Sequence, residues 1–284
     1  MGLFNNYMKD GPGVDVNAPR RKGIFLYFEI SGRKFFPLIK ANFLYFLISL
    51  PMIAIYLFLS QQYVSVFIGI ENIKAFANDT GIAMEGLVFT YNIVFAGLMY
   101  NFFGSGPASA AYSYITRCFT RSQPVWVWSD GVDKFKENFK YSMLLALIDI
   151  VVLYVASVAI GFYRSQSGMI YSFLYIFIII VFVIYAMSHS FMYQIIVTYD
   201  CKFKDVIKNA SILTIAKLPM CVLLFLISLV LCVVVFNFRE IGVIVYATVG
   251  MSVLKYPLEF YAARVIEKNI ANTENNETQG EDEK

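Results

Sequence analysis

The sequence predicts an all-α, polytopic integral membrane helix bundle of about six transmembrane helices, with short amphipathic cytoplasmic helices between them. Three observations carry this. Apolar residues form 58% of the 284-residue chain and charged residues only 15%, against roughly 45–50% and about 25% in soluble domains. Mean hydropathy is +0.62. Uncharged runs near the length that crosses a hydrocarbon core, about 20 residues, recur along the chain. A soluble fold cannot hide that much apolar surface, so lipid must be the solvent for much of it.

The N-terminal segment has no apolar core of signal-peptide length. Gly2 lacks the Ser or Thr of the myristoylation pattern. The expected spans follow: Asn42 to Ser60, Gly86 to Phe103, Tyr141 to Phe162 with Asp149 inside it, Met169 to Met192 with His189 near its end, Leu218 to Phe238, and Ile241 to Phe260. The last holds Lys255 and Glu259, so five spans with a final interfacial helix is the alternative. None of the runs alternates strictly, which excludes a β-barrel. Residues 1–264 read as a single transmembrane domain. Residues 265–284 read as a polar cytoplasmic tail, disordered for want of apolar residues.

Orientation follows from Lys and Arg, which gather in cytoplasmic loops. With both termini inside, only Lys74, Arg164 and Arg239 of the 23 basic residues fall outside. With five spans the C-terminal cations would move outside and weaken the bias. The expected place is therefore the cell membrane, multi-pass, with both termini cytoplasmic. The expected loops from Gly104 to Lys140 and from Tyr193 to Lys217 put the soluble mass on the inner side, with a longer outer loop between the first two spans.

Lys134-Phe135-Lys136-Glu137 followed by Lys140 matches Lys202-Phe203-Lys204-Asp205 followed by Lys208. A looser copy, Lys34-Phe35 with Ile39-Lys40, precedes the first span. Each sets apolar residues at helical spacing among lysines, as in an amphipathic helix whose Lys stems lie along the lipid surface. The organisation is then basic helix, span, span, three times. Basic residues flanking any inner span explain the same pattern more plainly.

Asp149 lies about ten residues, or roughly 15 Å of helix, into its span. A carboxylate at that depth is costly and marks a proton relay, a cation site or a helix-pairing contact. Tyr91, Asn92, Tyr175 and Tyr185 are the expected donors to it. Asn92 and Asn101 can join helices by hydrogen bonds or line a polar cavity. Together these three form a candidate intramembrane polar site. His189 reads as a hydrogen-bonded interfacial residue. A candidate cytoplasmic docking surface comprises Gly106, Pro107, Trp126, Trp128, Asp130, Lys134 and Phe135. Its glycine and proline mark a helix stop or hinge. Its two tryptophans suit an interfacial anchor or a partner-binding patch.

Other classes are disfavoured. One His excludes His-rich metal sites, and the four Cys form no CxxC pair. A net charge of +3 gives no strong field for nucleic acid. No P-loop, nucleophile elbow or HExxH occurs, so neither an enzyme nor a cofactor is expected.

Several segments carry a resemblance. They are MGLFNN (Met1 to Asn6), GPGV (Gly11 to Val14), Ala18-Pro19, FEI (Phe28 to Ile30), RKFFPLIKANFLY (Arg33 to Tyr45), GPA (Gly106 to Ala108), VWVWSD (Val125 to Asp130), FKENFK (Phe135 to Lys140) and FKDVIKNA (Phe203 to Ala210). In this order they resemble the YesL-type membrane proteins of Gram-positive bacteria, with the domain of unknown function 624. The resemblance implies an accessory or scaffold protein of a carbohydrate ABC transport or sensing system, partnered by the lipid bilayer and by a sugar ABC permease or sensor kinase. It assigns no site residue. A small-solute or ion transporter using Asp149 is the alternative.

Overall fold

The computed structural model describes residues 23–282, with side chains described through Asn269. The motifs before residue 23, and the expectations for a leader or lipid anchor, lie outside these residues. Helix is the sole regular structure among the described residues.

The chain opens with α1 (Ile24–Arg33), α2 (Phe35–Ile48) and α3 (Leu50–Phe67), each separated from the next by a single residue. Then come α4 (Ile70–Thr80), α5 (Met84–Phe102), α6 (Pro107–Thr120), α7 (Val127–Glu137), α8 (Phe139–Ser165) and α9 (Met169–Ile196). The third section holds α10 (Phe203–Ala216), α11 (Leu218–Phe236), α12 (Arg239–Val245), a π turn at Tyr246–Gly250, α13 (Met251–Leu254) and α14 (Tyr256–Asp282).

By length and hydropathy, α3, α8, α9, α11 and the continuous run Arg239–Asn269 can each cross a membrane. A sixth span arises when α5 and α6, bent by 58° at the Gly104–Gly106 break, count as one. This is a multi-span membrane protein. The final run qualifies by its length and hydropathy, and the Lys255 and Glu259 it contains are buried, at 2% and 0% exposure.

Several expected boundaries move. The first span is Leu50–Phe67, not residues 42–60. Pro51 supplies no N–H to the preceding turn, so one helix stops at Ile48 and another starts at Leu50, with Pro51 in its first turn. Pro219 repeats the device between α10 and α11, and Pro257 and Pro107 open α14 and α6. The connection expected outside contains α4. The connection from Gly104 expected inside is largely helix, and every residue of α6 except Tyr114 and Arg117 is buried. A backbone enclosed this way must satisfy its own hydrogen bonds, which helix does. The polar tail continues α14 to Asp282. Extending a helix whose start is already fixed by packing avoids the cost of nucleation.

The three-part organisation is visible in the element order. A short helix, a one-residue break, a span and a returning span run through α2–α3–α5, α7–α8–α9 and α10–α11–α12 onward. The breaks are Ser49, Asn138 and Lys217. Each returning segment reaches the end of the bundle that carries α7 and α10. There α6, the last turns of α9 and the first turns of α14 pack on one another. The N-terminal half of α9 is mostly exposed along the apolar surface.

Candidate functional site

Asp149 is fully buried on α8. Its Oδ1 accepts from the Tyr185 hydroxyl at 2.7 Å and lies 2.8 Å from Nε2 of His189. His189 Nδ1 sits 2.9 Å from the Tyr185 carbonyl. Tyr185 and His189 are four apart on α9, so one face of that helix presents both groups to the carboxylate. The Phe103 ring meets the imidazole edge to face at 4.9 Å. Oδ2 has no hydrogen-bond partner. Of the donors expected for Asp149, Tyr185 supplies a bond. His189 supplies the second contact, hydrogen-bonded as expected and buried at 1% exposure within the bundle.

The other two candidate polar residues fall in separate hydrogen-bond clusters. Asn92 accepts from Ser60 at 2.8 Å and donates to the Val88 carbonyl, tying α5 to α3. Asn101 donates to Ser228 and accepts from Tyr246, at 2.9 and 2.8 Å. Its carbonyl takes Lys255 Nζ at 3.1 Å. The lysine also lies over the Tyr45 ring, 5.6 Å from the centroid. The π turn packs beside this cluster, and Asn42 donates to its Thr248 carbonyl at 2.8 Å.

Glu259 forms a third buried centre. Its Oε2 accepts from Ser113 of α6 at 2.8 Å and from Gln194 of α9 at 2.7 Å. One polar side chain from each returning segment therefore meets at one point. The sequence reading counted Lys255 and Glu259 only against the last span. Their i, i+4 spacing inside an apolar run was the available signal, since two charges on one helix face at that depth must point into protein.

The break between α5 and α6 is itself held by polar side chains. Gly104 has φ of 82°. Tyr56 donates to its carbonyl at 2.7 Å, and Tyr193 accepts from Gly106 N at 3.1 Å. Tyr45 bonds Ser105 and Ser109 at 3.3 and 3.0 Å.

The docking-surface candidates divide. Gly106 and Pro107 are buried; a Cβ on Gly106 would stand 3.0 Å from Ala146. Tight helix packing, not an exposed turn, explains that glycine. Trp126 and Trp128 are 80% and 49% exposed. Between them, Val127 turns inward, and Gly131 sits so close to Leu44 that a Cβ there would lie 2.7 Å from its methyl. Asp130, in the first turn of α7, reaches back to accept the backbone N–H of Trp126 at 2.9 Å. Lys134 lies over the Tyr114 ring at 5.0 Å and pairs with Glu137. Phe135 packs edge-on against Phe139 at 5.8 Å.

No group of three or more metal-ligating side chains occurs among the described residues. Residues 87–160 match the family described as "Protein of unknown function, DUF624". The matched segment spans most of α5, the break, α6, α7 and α8 through Ile160, Asp149 included. The chain thus carries a DUF624 domain. No curated protein and no solved structure matches it.

Proposed function

We propose that this membrane protein is an accessory or scaffold component, not an enzyme, that docks a partner through the face carrying α7. The exposure of Trp126 and Trp128 on a helix anchored from its other side carries the reading. A membrane-interface anchor accounts for tryptophans at this depth. Two of them at the start of a helix anchored from its other side also supply the aromatic anchors enriched at interface hot spots, and Lys134, Lys136 and Lys140 beside them supply charge that steers an acidic partner. The resemblance of the motifs supplies the partner class, a permease or sensor kinase of a carbohydrate ABC system. We place α7, and with it both termini, on the cytoplasmic side, because the basic residues gather there.

A benzophenone amino acid at position 126 or 128, photolysed in native membranes, tests the docking. The expected adduct contains a transport or kinase subunit. Adducts with lipid alone would overturn the reading. In the same membranes, the double variant Trp126→Ala/Trp128→Ala should reduce partner co-purification about 30-fold, as loss of about 2 kcal/mol from an interface anchor requires.

A further inference from the structure

We propose that Asp149, His189 and Tyr185 form a proton-binding site inside the bundle, whose ligand is a single exchangeable proton held between His189 Nε2 and Asp149 Oδ1. The hydrogen-bond roles lead there. The Tyr185 carbonyl can only accept, so the nitrogen facing it at 2.9 Å, Nδ1, carries a hydrogen. Tyr185 Oη donates to Asp149 Oδ1 at 2.7 Å. That leaves one proton for the 2.8 Å contact between Nε2 and Oδ1. It can reside on the nitrogen, giving imidazolium and carboxylate, or on the oxygen, giving two neutral groups. The heavy atoms need not move between these forms.

A structural pin would satisfy both carboxylate oxygens. Here Oδ2 is buried without a partner, an arrangement that costs free energy for a permanent carboxylate in a low-dielectric interior. The same oxygen offers a second position at which a proton can arrive. Binding is balanced simply. A proton from water forms one N–H or O–H bond, and the pair goes from net negative to neutral. Its loss leaves two acceptors, Nε2 and Oδ1, facing each other, so the empty site disfavours the present ring position.

The ionisable groups facing the pair are Tyr56 from α3 and Tyr185 and Tyr193 from α9. Among the described residues, His189 is the ion-pair partner of Asp149. Tyr56 and Tyr193 also hold the α5–α6 break. Loading of the site and the setting of the break are therefore adjacent in space. The site stands independently of docking at α7.

His189 is the single histidine of the chain, so 15N-histidine labelling of the whole protein in lipid nanodiscs reports this one ring without assignment. In the wild type, ring-nitrogen NMR should show Nδ1 protonated throughout. Nε2 should change reversibly between proton-bearing and bare as pH rises over the range in which the protein stays folded. In Asp149→Asn, the Nε2 signal should lose that change while Nδ1 keeps its proton. Infrared difference spectra of the wild type across the same pH step should show a buried carboxyl band that is absent in Asp149→Asn. A folded wild type in which neither the Nε2 signal nor a buried carboxyl band changes over the whole range would overturn the proposal, and so would a pH-dependent change that persists in Asp149→Asn. Because the wild-type titration decides by itself, poor folding of the variant does not shield the proposal.

Discussion

Asp149 Oδ1 receives contacts from two side chains of α9, so the consequence of replacing it depends on what the replacement can accept. Asparagine keeps an oxygen at that position and should hold the Tyr185 bond. Leucine leaves the Tyr185 hydroxyl and one His189 nitrogen buried without partners. Each orphaned group costs about 1–3 kcal/mol. Asp149→Leu should therefore lower the thermal midpoint in detergent and reduce yield, whereas Asp149→Asn should leave both nearly unchanged. Equal loss in the two variants would show that charge, not hydrogen bonding, holds the α8–α9 pair. The position of Asp149 and its need for a donor were legible in the sequence, because a lone carboxylate in an apolar run cannot face lipid. His189 as its partner was not. Residues 40 apart meet only through the register of two antiparallel helices, and no local pattern encodes that register. Gln194 and Ser113, which meet Glu259, were hidden for the same reason.

Helices α5 and α11 meet tightly at Gly97, where a Cβ would lie 2.4 Å from the Phe236 ring. Small residues permit such contacts between membrane helices. Gly97→Ala should cost about 1–3 kcal/mol through overpacking. Phe236→Leu should recover part of that loss, and additivity in the thermal midpoints of the double variant would remove the proposed contact. Gly104 imposes a sharper demand. Its φ of 82° lies in the left-handed region, and a Cβ would stand 2.3 Å from Ser109 Oγ. Backbone strain alone makes Gly104→Ala cost roughly 1–2 kcal/mol, and the displaced Ser109 would give up its bond to Tyr45. The glycines and proline marking this break were readable from the sequence, as was the short helix before α3, α8 and α11. The extent of the helices was not. Apolar runs report where lipid can be met, whereas α6 and the start of α14 are apolar or small because they are enclosed by protein, and α2 buries one face while Phe36, Phe43 and Leu47 stay exposed. Hydropathy does not separate those two environments, so the apolar pattern places the first span earlier than Leu50–Phe67.

At the scale of the whole chain, the unequal distribution of basic residues supports the proposed orientation, which native cysteines alone can test. Cys118, Cys221 and Cys232 are buried, and only Cys201 is partly exposed. It lies in the short connection between α9 and α10, beside Lys202 and Lys204, at the end assigned to the cytoplasm. Burial, together with the nearby carboxylates of Asp205 and Asp200, pushes its thiol above the ordinary pKa. Both causes disfavour the thiolate, which is the form that reacts. At neutral pH Cys201 should therefore react with maleimide more slowly than a free thiol. Its rate should climb as pH rises and approach the free-thiol rate only beyond the usual thiol pKa. Labelling should be carried out at mildly alkaline pH for that reason. An impermeant maleimide added to intact cells should leave the protein unmodified, and one equivalent should react once the membrane is opened. Rapid modification of Cys201 in sealed cells would place the α9–α10 connection outside. With it, α7, Trp126 and Trp128 would face the wrong compartment for an ATPase or kinase.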